Sequence, residues 1–434
     1  MAVQIVRALR HRNYQLFFGG QLISLTGTWM QSVAESWLVF RLTGSSALLG
    51  VAAFVSQIPV FLFATIGGTV ADRLNRHRII IVTQSLSMVL PLVLAALTLS
   101  GRVQVWHVFV LAACLGTVNA FDIPARQAFL VDMVGREDLM NAIALNSSMV
   151  NGARVVGPAV AGLLVAAVGE GWCFLLNGIS YLAVITGLLL MRLTPRPIGT
   201  ARPSALAETV AGYRFVAHAA PVRALLLLLG AVSFAGMPYA VLMPVFADAI
   251  LHSGARGLGL LMGASGTGAL AGALTLASRS GVRGLGRWVA AASGAFGLAL
   301  ILFSVSRTFW VSMALLVPVG AAMMVQMASS NTLVQAMVPD ALRGRVMAVY
   351  SMMFMGMAPL GALAAGWVAE RIGAPFTVAL GGVVCLAGSA IFSSRLPMLR
   401  GEARRLIVAQ GLAGGDPPAE ITGPGHEVPL AEKP

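Results

Sequence analysis

The chain has 434 residues, of which 58% are hydrophobic and only 10% are charged, and its formal net charge is +13. Soluble domains carry about 25% charged residues, so this composition excludes an ordinary soluble protein and is typical of one that crosses a membrane many times. The positive charge does not require a nucleic-acid partner, because membrane topology explains where the basic residues lie.

Twelve apolar runs are long enough to cross a bilayer, which takes about 20 residues in a helix. Many contain Gly or Pro, which membrane helices tolerate because neighbouring helices satisfy the freed backbone groups. The sequence therefore predicts an all-α membrane protein with twelve transmembrane helices. The predicted spans are at about 16–40, 47–70, 79–99, 106–124, 143–168, 172–191, 222–246, 257–277, 288–305, 309–331, 346–368 and 375–394.

Basic residues are distributed unequally between the two sides of these spans. Of the 29 Lys and Arg residues, 23 lie on the side that holds both termini and five lie on the opposite side. Because basic residues mark cytoplasmic loops, we predict a multi-pass protein of the cell (inner) membrane with both termini in the cytoplasm. The first run is too long for a signal peptide and lacks a small-residue cleavage site, so we interpret it as a retained span.

The first predicted span carries a single polar stripe. Its members follow one another at spacings of 3 and 4 residues, which places them on one helix face: Gln21, Ser24, Thr28, Gln31 and Glu35. Lipid cannot satisfy such a face, so it borders either a water-filled cavity or polar groups of other helices. We favour a substrate cavity, with Glu35 as the candidate proton-coupling residue. Simple hydration of Glu35 near the outer end of the span is the alternative.

A short charged turn joins the second and third spans. Such a turn between two apolar runs predicts a tight cytoplasmic hairpin. We predict that Arg76 pairs with Asp122 at the inner end of the fourth span, and that this region forms a cytoplasmic gate. A purely topological role of the arginines is the competing interpretation. The candidate gate residues are Gly68, Asp72, Arg73, Arg76, Asp122 and Arg126.

The fifth predicted span combines a charged residue with small residues. Arg154 lies near mid-depth, where burying a charge costs about 3 kcal/mol, so we expect it to meet Glu35, Asp122 or an anionic group of the substrate. A fixed ion pair between helices is the alternative. Asn151 shares this face and is assigned to the substrate cavity with Arg154. A further set of residues permits close helix packing and bends the span: Gly152, Gly157, Pro158 and Gly162.

In the second half of the chain, Gln326 and Ser330 share a face of the tenth span and complete the predicted substrate cavity. No acidic residue lies deep in this half, so a proton switch is expected in the first half.

Cys114, Cys173 and Cys385 lie singly in different spans, and the histidines form no constellation. The sequence therefore predicts no metal site, no cofactor and no enzymatic activity. No phosphate-binding motif of the Gly-x-x-x-x-Gly-Lys type is present, so ATP is not expected as the direct energy source.

The spans divide six and six around a polar stretch. We predict an N-terminal six-helix bundle at 1–194, a cytoplasmic linker with a short amphipathic helix at 195–220, a C-terminal six-helix bundle at 221–396 and a disordered cytoplasmic tail at 397–434. A shift of 204 residues aligns Gly162 with Gly366 and Gly169 with Gly373. This repeat indicates two pseudo-symmetric bundles with a binding site between them near the bilayer midplane.

The pattern Gly-x-x-x-Asp-Arg-x-x-Arg-x-Arg at 68–78 resembles the helix 2–helix 3 loop of the major facilitator superfamily. The Gly- and Pro-rich fifth span resembles an exporter motif of that superfamily, although Ala161 stands where the family often has Gly. Segments 20–31, 124–128, 136–147, 153–162 and 213–223 resemble the enterobactin-exporter-like and macrolide-efflux-like branch, of the transmembrane secretion effector type. The resemblance implies the major facilitator fold, a gating role for the hairpin loop and alternating access, and it does not specify the substrate.

Together, these observations predict a proton-driven exporter of a small amphipathic molecule such as a siderophore, a macrolide or another drug-like compound. The expected partners are this substrate, protons and membrane lipid, with no nucleic acid and no obligate protein partner. Two alternatives remain open: a proton-coupled importer of a metabolite, and a non-transporting sensor built on the same fold.

Overall fold

The computed structural model of the protein describes residues 7–192, 205–279 and 281–410. Within these ranges it contains helices and no strand, and the long helices run alternately between two ends of the molecule. The end that holds Arg7 and Ala409 is called the terminal face, and the opposite end is called the distal face. The predicted tail beyond residue 410 and part of the predicted linker lie outside the described residues.

The described chain contains a short 3-10 helix at Arg7–Arg10, twelve long helices and one connecting helix. The first half contains α1 Arg12–Thr43, α2 Ser46–Arg73, α3 Arg76–Leu99, α4 Val105–Val134, α5 Leu139–Val168 and α6 Glu170–Leu189. The connecting helix is α7 Ala205–His218. The second half contains α8 Ala220–Ile250, α9 Gly254–Ala277, α10 Leu285–Val305, α11 Phe309–Met337, α12 Asp340–Ile372 and α13 Ala374–Ala409.

Eleven of these helices in the described residues are long and apolar enough to cross a membrane. Helix α1 is the twelfth, and its 32 residues reach about 48 Å at the usual rise per residue. Its polar stripe lowers its hydropathy without shortening it. The predicted all-α membrane architecture is confirmed.

Local sequence produces the sharp turns at the helix ends. Gly44 ends α1 in the left-handed conformation at φ 63°, and the Ser45 side chain then caps the start of α2. Asn75 caps α3 in the same way. Gly169 and Gly373, which the 204-residue repeat aligns, both have φ 88° at equivalent distal turns. The repeat in the sequence therefore has a counterpart in backbone geometry.

Glycines bring the two halves into contact near the distal face. A Cβ atom placed on Gly162 of α5 would lie 2.8 Å from the Cα of Gly259 in α9. A Cβ on Gly50 of α2 would lie 3.1 Å from the Cα of Gly366 in α12. Because the repeat aligns Gly162 with Gly366, these two crossings are pseudo-symmetric, and together they close the distal side.

Two helices of the second half differ from regular, membrane-spanning α-helices. Helix α8 is interrupted by a π-helical turn at Val232–Gly236 and a 3-10 turn at Met237–Ala240, which contains a proline. Helix α13 continues to Ala409, so the prediction of disorder from residue 397 is wrong for its first part. The extension is helical because Leu399 and Ile407 are buried against the second half, even though arginines surround them.

Candidate functional site

A cavity of about 760 Å³ lies between the two halves. This volume falls within the range of about 300–1,000 Å³ that is usual for small-molecule sites. The second half contributes an apolar wall that consists of Ala240, Val241, Met262 and Met355. All the polar lining residues come from the first half: Thr28, Gln31, Ser32, Glu35, Ser36, Ser56, Gln57, Asn119, Arg126, Gln127, Asn146 and Asn177.

The cavity is closed toward the distal face and extends toward the terminal face. Besides the two glycine crossings, the Glu370 carboxylate of α12 accepts hydrogen bonds from Ser45 Oγ and from the Ala47 backbone N–H, each at 3.1 Å. At the other end, Gln127 and Asn146 line the cavity near the terminal ends of α4 and α5. The structure therefore shows the state in which the site opens to the terminal face.

The polar stripe of α1 serves two different purposes. Thr28, Gln31 and Glu35 line the cavity, and their roles in substrate binding and proton coupling stay predictions. Gln21 and Ser24 do not line it and are buried inside the first half, so their assignment to the cavity is wrong for this state. Gln21 is only 2% exposed and its side-chain oxygen accepts a hydrogen bond from Arg126 Nη1 at 3.1 Å. Polar contacts between helices thus account for the terminal part of the stripe.

Gln31 and Glu35 form the polar centre of the cavity wall. Asn177 Nδ2 of α6 donates to Gln31 Oε1 at 2.5 Å, which fixes the Gln31 amide. Glu35, one helical turn further on, is half-buried, and it is the only carboxylate among the described residues that line the cavity. Our sequence reasoning missed Asn177. An isolated amide in an otherwise apolar span was the signal that could have identified it.

Asp122 and Arg126 form a charge pair behind the cavity wall. Arg126 Nε lies 3.0 Å from Asp122 Oδ2, one helical turn away on α4. The other Asp122 oxygen accepts hydrogen bonds from Thr83 Oγ1 at 2.7 Å and Gln84 Nε2 at 2.9 Å. Arg126 itself reaches the cavity, so this network places a positive charge in the wall opposite the apolar second half.

The prediction that Arg76 pairs with Asp122 is wrong. Arg76 lies 3.6 Å from Asp72 and 3.4 Å from Asp132, and its Nε donates to the Ala71 backbone oxygen. Asp122 is ten residues from Asp132 on α4, which is about 15 Å along the helix axis, so Arg76 cannot reach it. In this state the Arg76 contacts fasten α2, α3 and α4 together within the first half.

Two other candidate gate residues have few contacts. Arg73 is exposed on the terminal face, and a Cβ atom on Gly68 would have no neighbour within 4 Å. The neighbouring Gly67 is instead the close-contact residue, because a Cβ there would collide with the Ala120 backbone oxygen of α4. A gating role for the hairpin remains a prediction for the state in which the terminal side closes.

Arg154 is half-buried, and its guanidinium group lies 5.3 Å from the centre of the Trp29 ring. In the described part of the chain neither Glu35 nor Asp122 forms an ion pair with it, so these two predicted pairings are wrong for this state, and a contact with an anionic group of the substrate stays a prediction. The cation–π contact supplies the partner that the sequence required.

Besides Gln21 and Ser24, four further predicted cavity residues do not line the central cavity in this state: Asn151, Arg154, Gln326 and Ser330. Asn151 donates instead to the Ser147 backbone oxygen at 2.8 Å. Gln326 and Ser330 are buried within the second half, where Gln326 Nε2 and Ser330 Oγ have no hydrogen-bond partner among the described residues. Helix periodicity identified polar faces correctly but could not show which of them border the opening between the halves.

The small residues of α5 act at two separate interfaces. A Cβ on Gly157 would lie 2.5 Å from Trp29 Cβ, so Gly157 permits α5 to pack on α1 within the first half. Gly162, by contrast, packs on α9 of the second half, and Pro158 is buried between these two positions. Gly152 has no neighbour within 4 Å of a Cβ, so its predicted packing role is wrong in this state.

Two six-helix halves around a cavity that is closed at one face define a transporter fold of the major facilitator type. The solved nucleoside transporter NupG shares it with a TM-score of 0.65 at 15% identity, over 90% of this chain and 98% of that one. A POT family transporter in complex with 5-aminolevulinic acid shares it with a TM-score of 0.72 at 10% identity, over 90% and 97% of the two chains. Such low identities show the fold alone.

The sequence profile of the transmembrane secretion effector family matches residues 5–412, and the chain belongs to this family. The staphyloferrin A transporter of Staphylococcus aureus is 25% identical over 379 residues, which cover 87% of this chain and 94% of that protein. The enterobactin exporter EntS of Escherichia coli O1:K1 is 27% identical over 338 residues, which cover 77% and 80% of the two chains. The protein is a multi-pass membrane transporter related to siderophore transporters, and it is not an enzyme.

Proposed function

We propose that the protein exports a small amphipathic molecule of the siderophore class in exchange for protons, by alternating access. The observation that carries this proposal is the position of Glu35, the sole carboxylate among the described residues that line the cavity between the halves. The names of the two relatives support the substrate class. The excess of basic residues at the terminal face supports a cytoplasmic position for that face and for both termini.

The cavity lining suggests how a substrate binds. The Met262 and Met355 side chains supply an adaptable apolar surface, while the first half supplies hydrogen-bonding groups. An ionised Glu35 accepts a hydrogen bond from a substrate hydroxyl or amine. Protonation of Glu35 removes its negative charge, which makes the carboxyl group a weaker acceptor and weakens substrate binding. Competition between proton and substrate for one carboxylate is the requirement for exchange of the two across the membrane.

Import together with protons is the second candidate, and Arg126 is the observation that favours it. Arg126 reaches the cavity and meets an anionic oxygen of a substrate there. A substrate anion repels an ionised Glu35 in the same cavity, so protonation of Glu35 strengthens binding of such a substrate. The two mechanisms therefore differ in the sign of the pH dependence of substrate affinity.

The test has two stages. Purified protein is first screened against siderophores, macrolides and dyes for ligand-induced thermal stabilisation, and the dissociation constant of the best ligand is then measured from pH 5 to pH 8. Exchange requires weaker binding at low pH in the wild type and pH-independent, weak binding in Glu35→Gln. The control is Glu137→Gln, because Glu137 is exposed on the terminal face away from the cavity.

The outcomes separate the alternatives. Tighter binding of the wild type at low pH, together with tight and pH-independent binding by Glu35→Gln, would replace exchange by import with protons. A wild-type pH dependence that Glu35→Gln leaves unchanged would remove Glu35 from the coupling mechanism. Accumulation of the ligand in cells that lack the protein provides the independent check on export.

A further inference from the structure

A second cavity of about 510 Å³ lies at the terminal face of the second half, away from the central cavity. Its walls come from α8, α10, α11 and α13. Four exposed arginines line it: Arg283, Arg287, Arg400 and Arg404. Its floor is apolar and buried, and includes Leu225, Phe392 and Leu396. A cavity with cationic walls and an apolar floor is complementary to an anionic ligand that carries an apolar tail.

The length of α13 places this cavity at the boundary between lipid tails and headgroups. Helix α13 begins at Ala374 on the distal side. At the helical rise per residue, Phe392 lies about 27 Å and Arg400 about 39 Å along the axis from that point. The hydrocarbon core of a bilayer is about 30 Å thick, and headgroups extend the total to about 40–45 Å. With Ala374 placed in the distal headgroup layer, the apolar floor lies at acyl-chain depth and the arginines lie at phosphate depth.

Within the residues that the structure describes, no side chain neutralises the charges of this cavity. No carboxylate forms an ion pair with any of the four arginines within the described ranges. The neighbouring carboxylate, Glu402, accepts a hydrogen bond from the Ala220 backbone N–H instead. Arginines elsewhere on the same face do have such partners: Arg7 pairs with Asp138 at 2.8 Å, and Arg76 approaches Asp132. Four like charges around one cavity repel one another, and a bound anion relieves this repulsion.

We infer that this cavity is a binding site for an anionic glycerophospholipid. The phosphate contacts the arginines, and an acyl chain occupies the floor. Basic pockets between membrane helices are suited to such headgroups, and each Arg near the membrane surface contributes about 1 kcal/mol to the attraction. A free phosphate would meet the arginines but would leave the apolar floor uncovered. The inference depends on the membrane embedding of the chain and not on the direction of transport.

Native mass spectrometry of the full-length protein in detergent tests the site. The protein is titrated separately with phosphatidylglycerol, cardiolipin, phosphatidylcholine and inorganic phosphate. We expect both anionic lipids to bind in preference to phosphatidylcholine, and Arg400→Gln/Arg404→Gln to weaken their binding roughly 30-fold. Arg283→Gln/Arg287→Gln removes the charges from a different helix and should have a similar effect. The control is Arg395→Gln/Arg78→Gln, which removes two exposed arginines outside the cavity.

A third variant separates a shaped site from diffuse attraction. Ala403 lines the cavity, so Ala403→Phe fills it without changing the charge. We expect this variant to weaken binding of anionic lipid and to leave the wild-type melting temperature intact. Equal binding of all lipids, an unchanged affinity in both arginine variants, or full displacement of lipid by phosphate would overturn the inference. So would binding that appears only after residues 411–434 are deleted, because the chain's own tail would then be the occupant.

Discussion

Replacement of Asp122 by alanine tests how the first half holds a positive charge in the cavity wall. Asp122 is only 1% exposed, and it interacts with Thr83, Gln84 and Arg126. Removing one partner of a buried ion pair costs about 3–5 kcal/mol, because the other charge is left without compensation. The Arg126 side chain is 25% exposed, so water partly solvates the guanidinium group that this variant leaves without a partner. We therefore expect Asp122→Ala to lower the free energy of unfolding by about 3 kcal/mol.

Denaturant unfolding in detergent micelles measures this loss, with Asp122→Ala, Arg126→Met and the double variant compared in parallel. The double variant leaves no unpaired charge, so its loss of stability should be smaller than the sum of the two single losses. It should also not exceed the loss caused by Asp122→Ala alone. A loss under about 0.5 kcal/mol in Asp122→Ala, or strict additivity in the double variant, would refute the assignment of this pair as a coupled buried unit.

Three further variants examine the distal closure and the terminal hairpin. Gly162→Leu should force α5 away from α9, because its Cβ would lie 2.8 Å from a backbone atom. Spin labels attached at Ser100→Cys and Thr308→Cys on the distal face should then report a larger distance between the two halves. An unchanged distance would contradict the role of this crossing. Glu370→Ala removes two surface hydrogen bonds that are together worth about 1 kcal/mol, so the population that is open at the distal face should rise about fivefold in the same measurement. A decrease in this population would be inconsistent with a role of Glu370 in closing the distal face. Arg76→Gln should lower the melting temperature with no change in that distance, since its partners all lie in the first half; a change in distance without a loss of stability would contradict this assignment.

The membrane fold could be predicted almost completely from the sequence, because span length and charge asymmetry are local properties. The twelve long helices match the predicted runs, and the aligned Gly169 and Gly373 share one backbone conformation. The site was only partly predictable. Periodicity placed Glu35 and Gln21 on the same helix face, but the first borders the cavity and the second is buried against Arg126.

The errors have a common physical origin. The part of a polar helix face that borders the cavity depends on the position along the helix at which neighbouring helices cross it. The sequence of a single helix does not encode this position. The same limit explains why Arg76 was paired with Asp122, which lies about 15 Å along α4 from the actual partner Asp132. It also explains why Arg154 was expected to meet a carboxylate when an aromatic ring lies beside it. The disorder predicted from residue 397 is wrong as far as Ala409, because the composition of the tail does not reveal that Leu399 and Ile407 are buried among its arginines.

Alternating access is the central claim, and the accessibility of a cavity residue from each side of the membrane tests it most directly. Ser32 lines the cavity, so Ser32→Cys is placed in a background in which Cys114, Cys173 and Cys385 are replaced by alanine. A membrane-impermeant thiol reagent is then applied to vesicles of both orientations.

We expect fast labelling of this cysteine from the terminal side, slower labelling from the distal side, and a reversal of the two rates when Gly162→Leu is added. Labelling from one side alone, in the parent and in the Gly162→Leu variant alike, would contradict alternating access.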